Sequence, residues 1–217
     1  MAKKLNLTKE RILSEYSKFV LTEGKKPNSI YQFCEYLKVD ESTFYGFFTS
    51  FDQLEAAVFI TFFDSTLSLL ENSEEYATYD SKTKLLSFYF TYFEQMTANR
   101  SFVMHLLHED KNQLKNLKKL SHLRIKFKGF VDALGIETLK IPQETFEKFQ
   151  QKSISELSWI QFLMTLKFWI NDTSPSFEKT DVFIEKSIHA SFDLIDMTPL
   201  KNIIDFGKFL WKEKVSM

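Results

Sequence analysis

Cysteine is nearly missing from this chain: Cys34 stands alone among 217 residues. That excludes an internal disulfide and any cysteine-built zinc tetrad, and points to a reducing, cytoplasmic setting. Glycine (5) and proline (4) are scarce as well. Gly24, Gly46, Gly129, Gly135 and Gly207 are too scattered to cradle a phosphate or build a nucleophile elbow, and no His-Glu-x-x-His zinc motif occurs. The sequence therefore offers no catalytic constellation, and neither cofactor nor metal is assigned. Charge of one sign is lacking too: 28 Lys and Arg face 29 Asp and Glu, so no global basic field announces a polyanionic partner. A long apolar run is the last absence. Residues 56–63 are the greasiest stretch and are far too short to cross a bilayer, and the basic start at Lys3-Lys4 has no apolar region behind it, so no membrane partner is expected.

What the chain does have is helical periodicity from end to end. Few breakers and 44% hydrophobic residues leave long stretches with apolar positions at i, i+3 and i+4. Helices are expected over residues 11–23, 30–37, 42–48, 52–70, 84–96, 101–108, 114–134, 144–170, 176–197 and 199–212. No alternating strand pattern, internal repeat or low-complexity tract competes, so the fold class is all-α. Length fits a small head, residues 1–50, and a larger helical body, residues 51–217.

The head is the most specific part. Ile12, Leu13, Tyr16, Phe19 and Val20 stripe a first helix that Gly24 stops; Ser29 caps a second carrying Ile30, Phe33, Cys34 and Leu37. After the turn at Lys38-Val39-Asp40, Thr43-Phe44-Tyr45 heads a third helix closed by Phe48. This order of parts, with Leu54 following, resembles the head of the tetracycline-repressor (TetR) family of one-component regulators over about 45 residues. The resemblance implies a helix-turn-helix that reads double-stranded DNA. Ser42, Thr43, Tyr45 and Gly46 would face bases or backbone, with Ser29, Lys38 and Glu41 beside them, and Phe44, Phe47 and Phe48 would pack inward. The chain departs from the family pattern at Cys34, where a small residue is usual, at Lys38, where Gly is usual, and at Phe51, where a phosphate-contacting Lys is common.

Charge bears on the same segment. Residues 1–60 hold eight basic and eight acidic side chains. Phosphate neutralisation supplies most non-specific DNA affinity, and Asp40 and Glu41 sit where a reading helix would enter a groove. They serve either as helix caps, the commoner use of acids there, or as acceptors for cytosine amino groups.

In the body, apolar residues cover more than one stripe of the helices expected over 144–171 and 181–197, as when a helix has partners on two sides. The family resemblance implies a four-helix bundle with a second subunit, so a homodimer is expected through Leu163, Leu166, Trp169, Phe183, Ile184, Ile188 and Phe192. Phe (24), Tyr (8) and Trp (3) crowd the helices that line the family's ligand cavity. Phe62, Phe88, Tyr92, Met104, His105, Trp159 and Phe162 are candidates to hold a small apolar or aromatic ligand, or else fill an ordinary core. A basic run, Lys111, Lys115, Lys118, Lys119, Arg124, Lys126 and Lys128, contains no acid. On one continuous helix Lys111, Lys115, Lys118, Lys119, His122 and Lys126 share a face opposite Leu117, Leu120, Leu123, Phe127 and Val131, either a solvated lysine face or a stripe that touches a phosphate backbone, an anionic ligand or the acidic segment 71–80. His105 and His108, near Glu109 and Asp110, have the i, i+3 spacing of paired metal ligands or of an ordinary helix end.

Overall fold

In the computed structural model, residues 7–108, 113–136 and 144–196 are described, with side chains over 7–108, 116–136 and 154–194. Among the described residues there are ten α-helices and no strand: α1 Lys9–Glu23, α2 Ile30–Leu37, α3 Glu41–Tyr45, α4 Phe51–Glu71, α5 Ser81–Ala98, α6 Arg100–His108, α7 Gln113–Lys118, α8 Ser121–Ala133, α9 Glu144–Asn171 and α10 Glu178–Asp196. The class is all-α, as the periodicity predicts. The expected last helix, at 199–212, lies outside the described residues.

Three helices differ from the sequence reading. The third ends at Tyr45, and Gly46 and Phe47 form a turn whose N–H groups return to Ser42 and Phe44. The expected helix over 114–134 is two. Lys119 and Leu120 turn between α7 and α8, because Lys119 is drawn inward to a carboxylate described below. The break rotates Leu117 off the stripe, leaving it 44% exposed while Leu120, Leu123, Phe127 and Val131 are buried. Among the described side chains of the run, Lys118, Arg124 and Lys126 are exposed, whereas Lys119 turns inward to Glu55; Lys126 also pairs with Asp64 and Lys128 with Glu156. Finally, α10 starts at Glu178 because Ser176 and Phe177 take left-handed backbone angles, φ 52° and 60°. Asp172 then receives four hydrogen bonds, from the N–H and hydroxyl groups of Ser174 and Thr180, at 2.7–2.9 Å.

Contacts divide the chain into two compact units, Met1–Leu67 with Tyr92–Lys126, and Ser68–Thr91 with Phe127–Met217. The core of the first is aromatic. Phe33 meets Tyr16, Phe19, Tyr36, Phe44 and Phe51 at centroid distances of 5.6–6.2 Å, and α6 joins through Phe102, edge-on to Tyr16. Set in this core is a charge. Glu55, 1% exposed, accepts a 2.5 Å hydrogen bond from the Tyr16 hydroxyl and lies 2.7 Å from the Lys119 ammonium, which also donates to the Leu106 carbonyl. One buried ion pair thus ties α1, α4, α6 and the α7–α8 turn. The long α4 is the one described helix with the length and hydropathy of a membrane span, and 44% of that window is buried inside the protein.

In the second unit Phe127 is the hub, against Phe88, Tyr89, Trp159 and Phe162, with Trp159 stacked on Phe162 at 5.2 Å. α9 and α10 pack side by side through Leu166, Trp169, Ile184 and Ile188, all buried, and through Gln161, which donates to Ser187 and accepts from Ser191.

Candidate nucleic-acid interface

The α2-turn-α3 segment is built from caps. Ser29 precedes α2 in extended backbone, and its hydroxyl accepts from Gln32 N at 3.1 Å, while the Gln32 side chain accepts from Asn28 N at 2.8 Å. The same reciprocal arrangement opens α4, with Ser50 accepting from Gln53 N and Gln53 accepting from Thr49 N. Each device satisfies orphan donors at a helix start and fixes the entry of the chain. Two helix N-termini of the head are thereby held in defined positions, and partial positive charge gathers at such ends.

Lys38 ends α2 in the left-handed region, φ 57° and ψ 46°, and the N–H groups of Lys38 and Val39 close on Glu35 and Cys34 carbonyls. Glycine is the residue that enters this region without strain, so the lysine holds the turn at a cost of about 1 kcal/mol. Asp40 occupies the cap position of α3 but makes no side-chain cap bond. Its backbone carbonyl accepts from Thr43 N, and its carboxylate stands at the positive end of α3. Burial first, then the charges of Glu41, Asp40 and Glu35, push the Cys34 thiol pKa up; the turn carries a negative local field.

α3 divides its residues cleanly. Phe44 is buried, and so is Phe48 just after it; Ser42, Tyr45 and Gly46 are exposed, and Glu41 and Thr43 are half-buried. Phe47, expected inside, is instead 40% exposed, because the helix unwinds at Gly46 and the turn swings it outward. Phe51 takes a place in the core, stacked on Tyr16 at 5.4 Å and edge-on to Phe33 and Phe44. It trades a cation at the surface for a ring in the hydrophobic cluster.

At the other end of the chain, α9 presents an outer stripe. Leu157, Ile160, Met164 and Phe168 are 64, 52, 57 and 36% exposed, at spacings of three and four. On α10, Val182 and Phe183 continue it, with Phe183 stacked on Phe168 at 4.6 Å. An open groove of about 500 Å³ lies there, with Phe168, Val182 and Phe183 along it and Lys179, Lys186 and Ser187 at its edges. Exposed apolar patches of this kind are found at interaction surfaces and ligand grooves. Residues 84–210 match the family described as Tetracyclin repressor-like, C-terminal domain. The chain belongs to the tetracycline-repressor-like family. No curated protein matches it.

In a TetR-like body a ligand cavity and a dimer face are the two features to locate. Phe88, Trp159 and Phe162 are brought together around Phe127, Trp159 stacked on Phe162, as buried core rings of the second unit. Tyr92, buried in the first unit, has its hydroxyl 3.4 Å from the Phe59 carbonyl, and burial pushes its phenol pKa up. Phe62, Met104 and His105, in that unit too, are half-buried. None of the seven lines the groove on α9 and α10. Of the residues expected at a dimer face, Leu166, Trp169, Ile184 and Ile188 are interior to the protomer, and Leu163, Phe183 and Phe192 are half-buried. The apolar girth of α9 is real but split: one stripe fills the protomer, and the stripe through Leu157, Ile160, Met164 and Phe168 faces out. A helical wheel shows both stripes without saying which is which. His108 is exposed with Nδ1 2.9 Å from the Met104 carbonyl, and no cluster of three metal-ligating side chains occurs among the described residues. Glu109 and Asp110 lie outside them.

Proposed function

We propose that this protein is a DNA-binding transcriptional regulator, a ligand-responsive repressor that works in the cytoplasm as a homodimer. The observation that carries the reading is the conjunction of a tetracycline-repressor-like body with a capped helix-turn-helix ahead of it. Residues 1–50 serve as the reading domain and residues 51–217 as the ligand-binding and dimerisation domain. Two heads, about 34 Å apart, would lay α3 into successive major grooves on one face of the duplex. Ser42, Thr43 and Tyr45 meet base edges or backbone there, Gly46 lets the chain approach closely, and Ser29, with the amides at the start of α2, holds a phosphate. Lys38 adds a cation, and Glu41 is positioned to accept from a cytosine amino group. A small apolar or aromatic ligand in the body shifts the population between a DNA-compatible and an incompatible spacing of heads. The chemistry is binding, not turnover.

Selection from a randomised duplex library, followed by mobility shift at low and moderate salt, tests this. Retention of a selected duplex by the wild-type chain, lost in Tyr45→Ala and weakened by salt, is the expected result. A second reading is favoured by one observation: Glu35, Asp40 and Glu41 surround the turn while Phe51 is committed to the core. On that reading the head no longer binds DNA and the protein is a ligand sensor or protein-interaction module. Tight small-molecule binding with no duplex retained at low salt would establish it.

A further inference from the structure

Phe47 stands apart from the other phenylalanines of the head. Phe44 and Phe48 are 0 and 2% exposed and meet ring to ring; Phe51 stacks on Tyr16. Phe47 is 40% exposed and, among the described residues, its ring has no aromatic partner. It is not on a loose tail, for its N–H donates to the Phe44 carbonyl at 2.9 Å and the next residue is anchored in the core. A fixed apolar ring therefore stands in water directly after the helix proposed to read DNA, two residues from Tyr45, itself 50% exposed.

The neighbours sharpen its meaning. Ser42, Tyr45 and Thr49 offer hydroxyls, Lys38 one ammonium, Asp40 a carboxylate, and all are exposed. Each can pair with a phosphate oxygen or a polar base edge. A phenyl ring cannot. Of the groups that base pairs display in a major groove, the thymine 5-methyl is the apolar one, and phenylalanine is among the side chains that cover it. We infer that Phe47 is a specificity-determining residue that covers a thymine methyl group, so that each half-site of the cognate duplex carries a thymine opposite the C-terminal end of α3. This rests on the regulator reading above and adds a sequence preference to it.

The test uses the full chain. Duplexes selected from a randomised library are resynthesised with deoxyuridine in place of thymine, which deletes the methyl group and leaves base pairing intact. Covering one methyl is worth about fourfold in affinity per head and so about fifteenfold for two. Wild-type protein should lose about that factor on deoxyuridine duplexes, Phe47→Ala should bind both versions alike, and Phe47→Leu should keep most of the discrimination. Circular dichroism melting checks that each variant is folded. Equal wild-type affinity for the two duplexes overturns the inference, as does a deoxyuridine penalty that survives in Phe47→Ala; both leave the regulator reading standing. Failure to enrich any duplex at low salt overturns both together.

Discussion

Removing Lys119 while keeping Glu55 tests what holds the head to α6–α8. At 2.7 Å the pair attracts by about 6 kcal/mol at an effective dielectric constant of ~20. Desolvating the ammonium and the carboxylate costs several kcal/mol per ion, so the intact pair is close to neutral against an apolar replacement. Breaking it is another matter. Lys119→Met leaves the carboxylate, 1% exposed, still receiving the Tyr16 hydroxyl but without this cation. The expected loss is about 3–5 kcal/mol, which for a chain of this size lowers Tm by about 10 °C. Glu55→Gln removes this counter-charge while the ammonium keeps its bond to the Leu106 carbonyl, and should cost less, about 1–3 kcal/mol. Glu55→Gln combined with Lys119→Met removes both charges, and should lie within about 2 kcal/mol of wild type. Urea and thermal unfolding, followed by circular dichroism at one fixed protein concentration, read all four proteins, since the stability of any protein that self-associates depends on concentration. Additive single-variant losses, or a Lys119→Met protein as stable as wild type, would refute the reasoning.

Other perturbations probe separate parts of the molecule. Lys38→Gly relieves the left-handed turn, φ 57°, and should stabilise the head by about 0.5 kcal/mol in urea unfolding once the greater chain entropy of glycine is counted. The Asp172 carboxyl is pushed up by burial but held down more strongly by hydrogen bonds from Thr180 and Ser174, to about 2. A folded-state pKa below the unfolded 3.8 gives stability that is present above pH about 4 and is lost as pH falls through about 2. After screening this is worth about 1–2 kcal/mol, and stability curves of wild type and Asp172→Asn should converge over that window. Met164→Asp should yield a folded monomer in sedimentation, because it charges the outer stripe, whereas Trp169→Ala, an interior deletion, should cost about 3–5 kcal/mol of stability. Among the described residues Lys38 is the one exposed lysine close to α3 in sequence, so for a dimer log K for a selected duplex should fall with log salt at a slope of about −2, and a slope steeper than about −5 would refute a contact surface with so little positive charge.

Local signals carried the fold far. The Ser29 cap, the Gly24 stop and the buried stripe Ile12, Leu13, Tyr16, Phe19, Val20 are local in sequence, and each appears where periodicity and capping chemistry place it. The failures are non-local. Nothing within residues 114–134 announces a break, because its cause, Glu55, is more than 60 positions away, although an acid inside the apolar run of α4 was itself a signal that some cation must come to it. Phe47 points outward through a helix end set by Gly46, and helix ends are what periodicity fixes least well. On α9, sequence gives two apolar stripes, and the choice between interior and surface belongs to packing with α10.

These failures bear on one another. Phe51 contributes to the cluster that seats Tyr16, Tyr16 satisfies Glu55, and Glu55 draws in Lys119. Two cations that could have faced a phosphate backbone are thus accounted for by the interior: one position became a ring, and one lysine became a buried counter-charge. Lys119 lies outside residues 1–60, whose eight basic and eight acidic side chains leave the head formally neutral by themselves. Ser42, Tyr45 and Gly46 remain exposed on a scaffold fixed by two reciprocal caps. A surface of hydroxyls, one ammonium, one carboxylate and one phenyl ring carries little net charge toward phosphates. On the regulator reading its affinity must come from base edges, so weak non-specific affinity with sharp sequence preference is the expected behaviour, and the ratio of selected to random duplex affinity at low salt measures it.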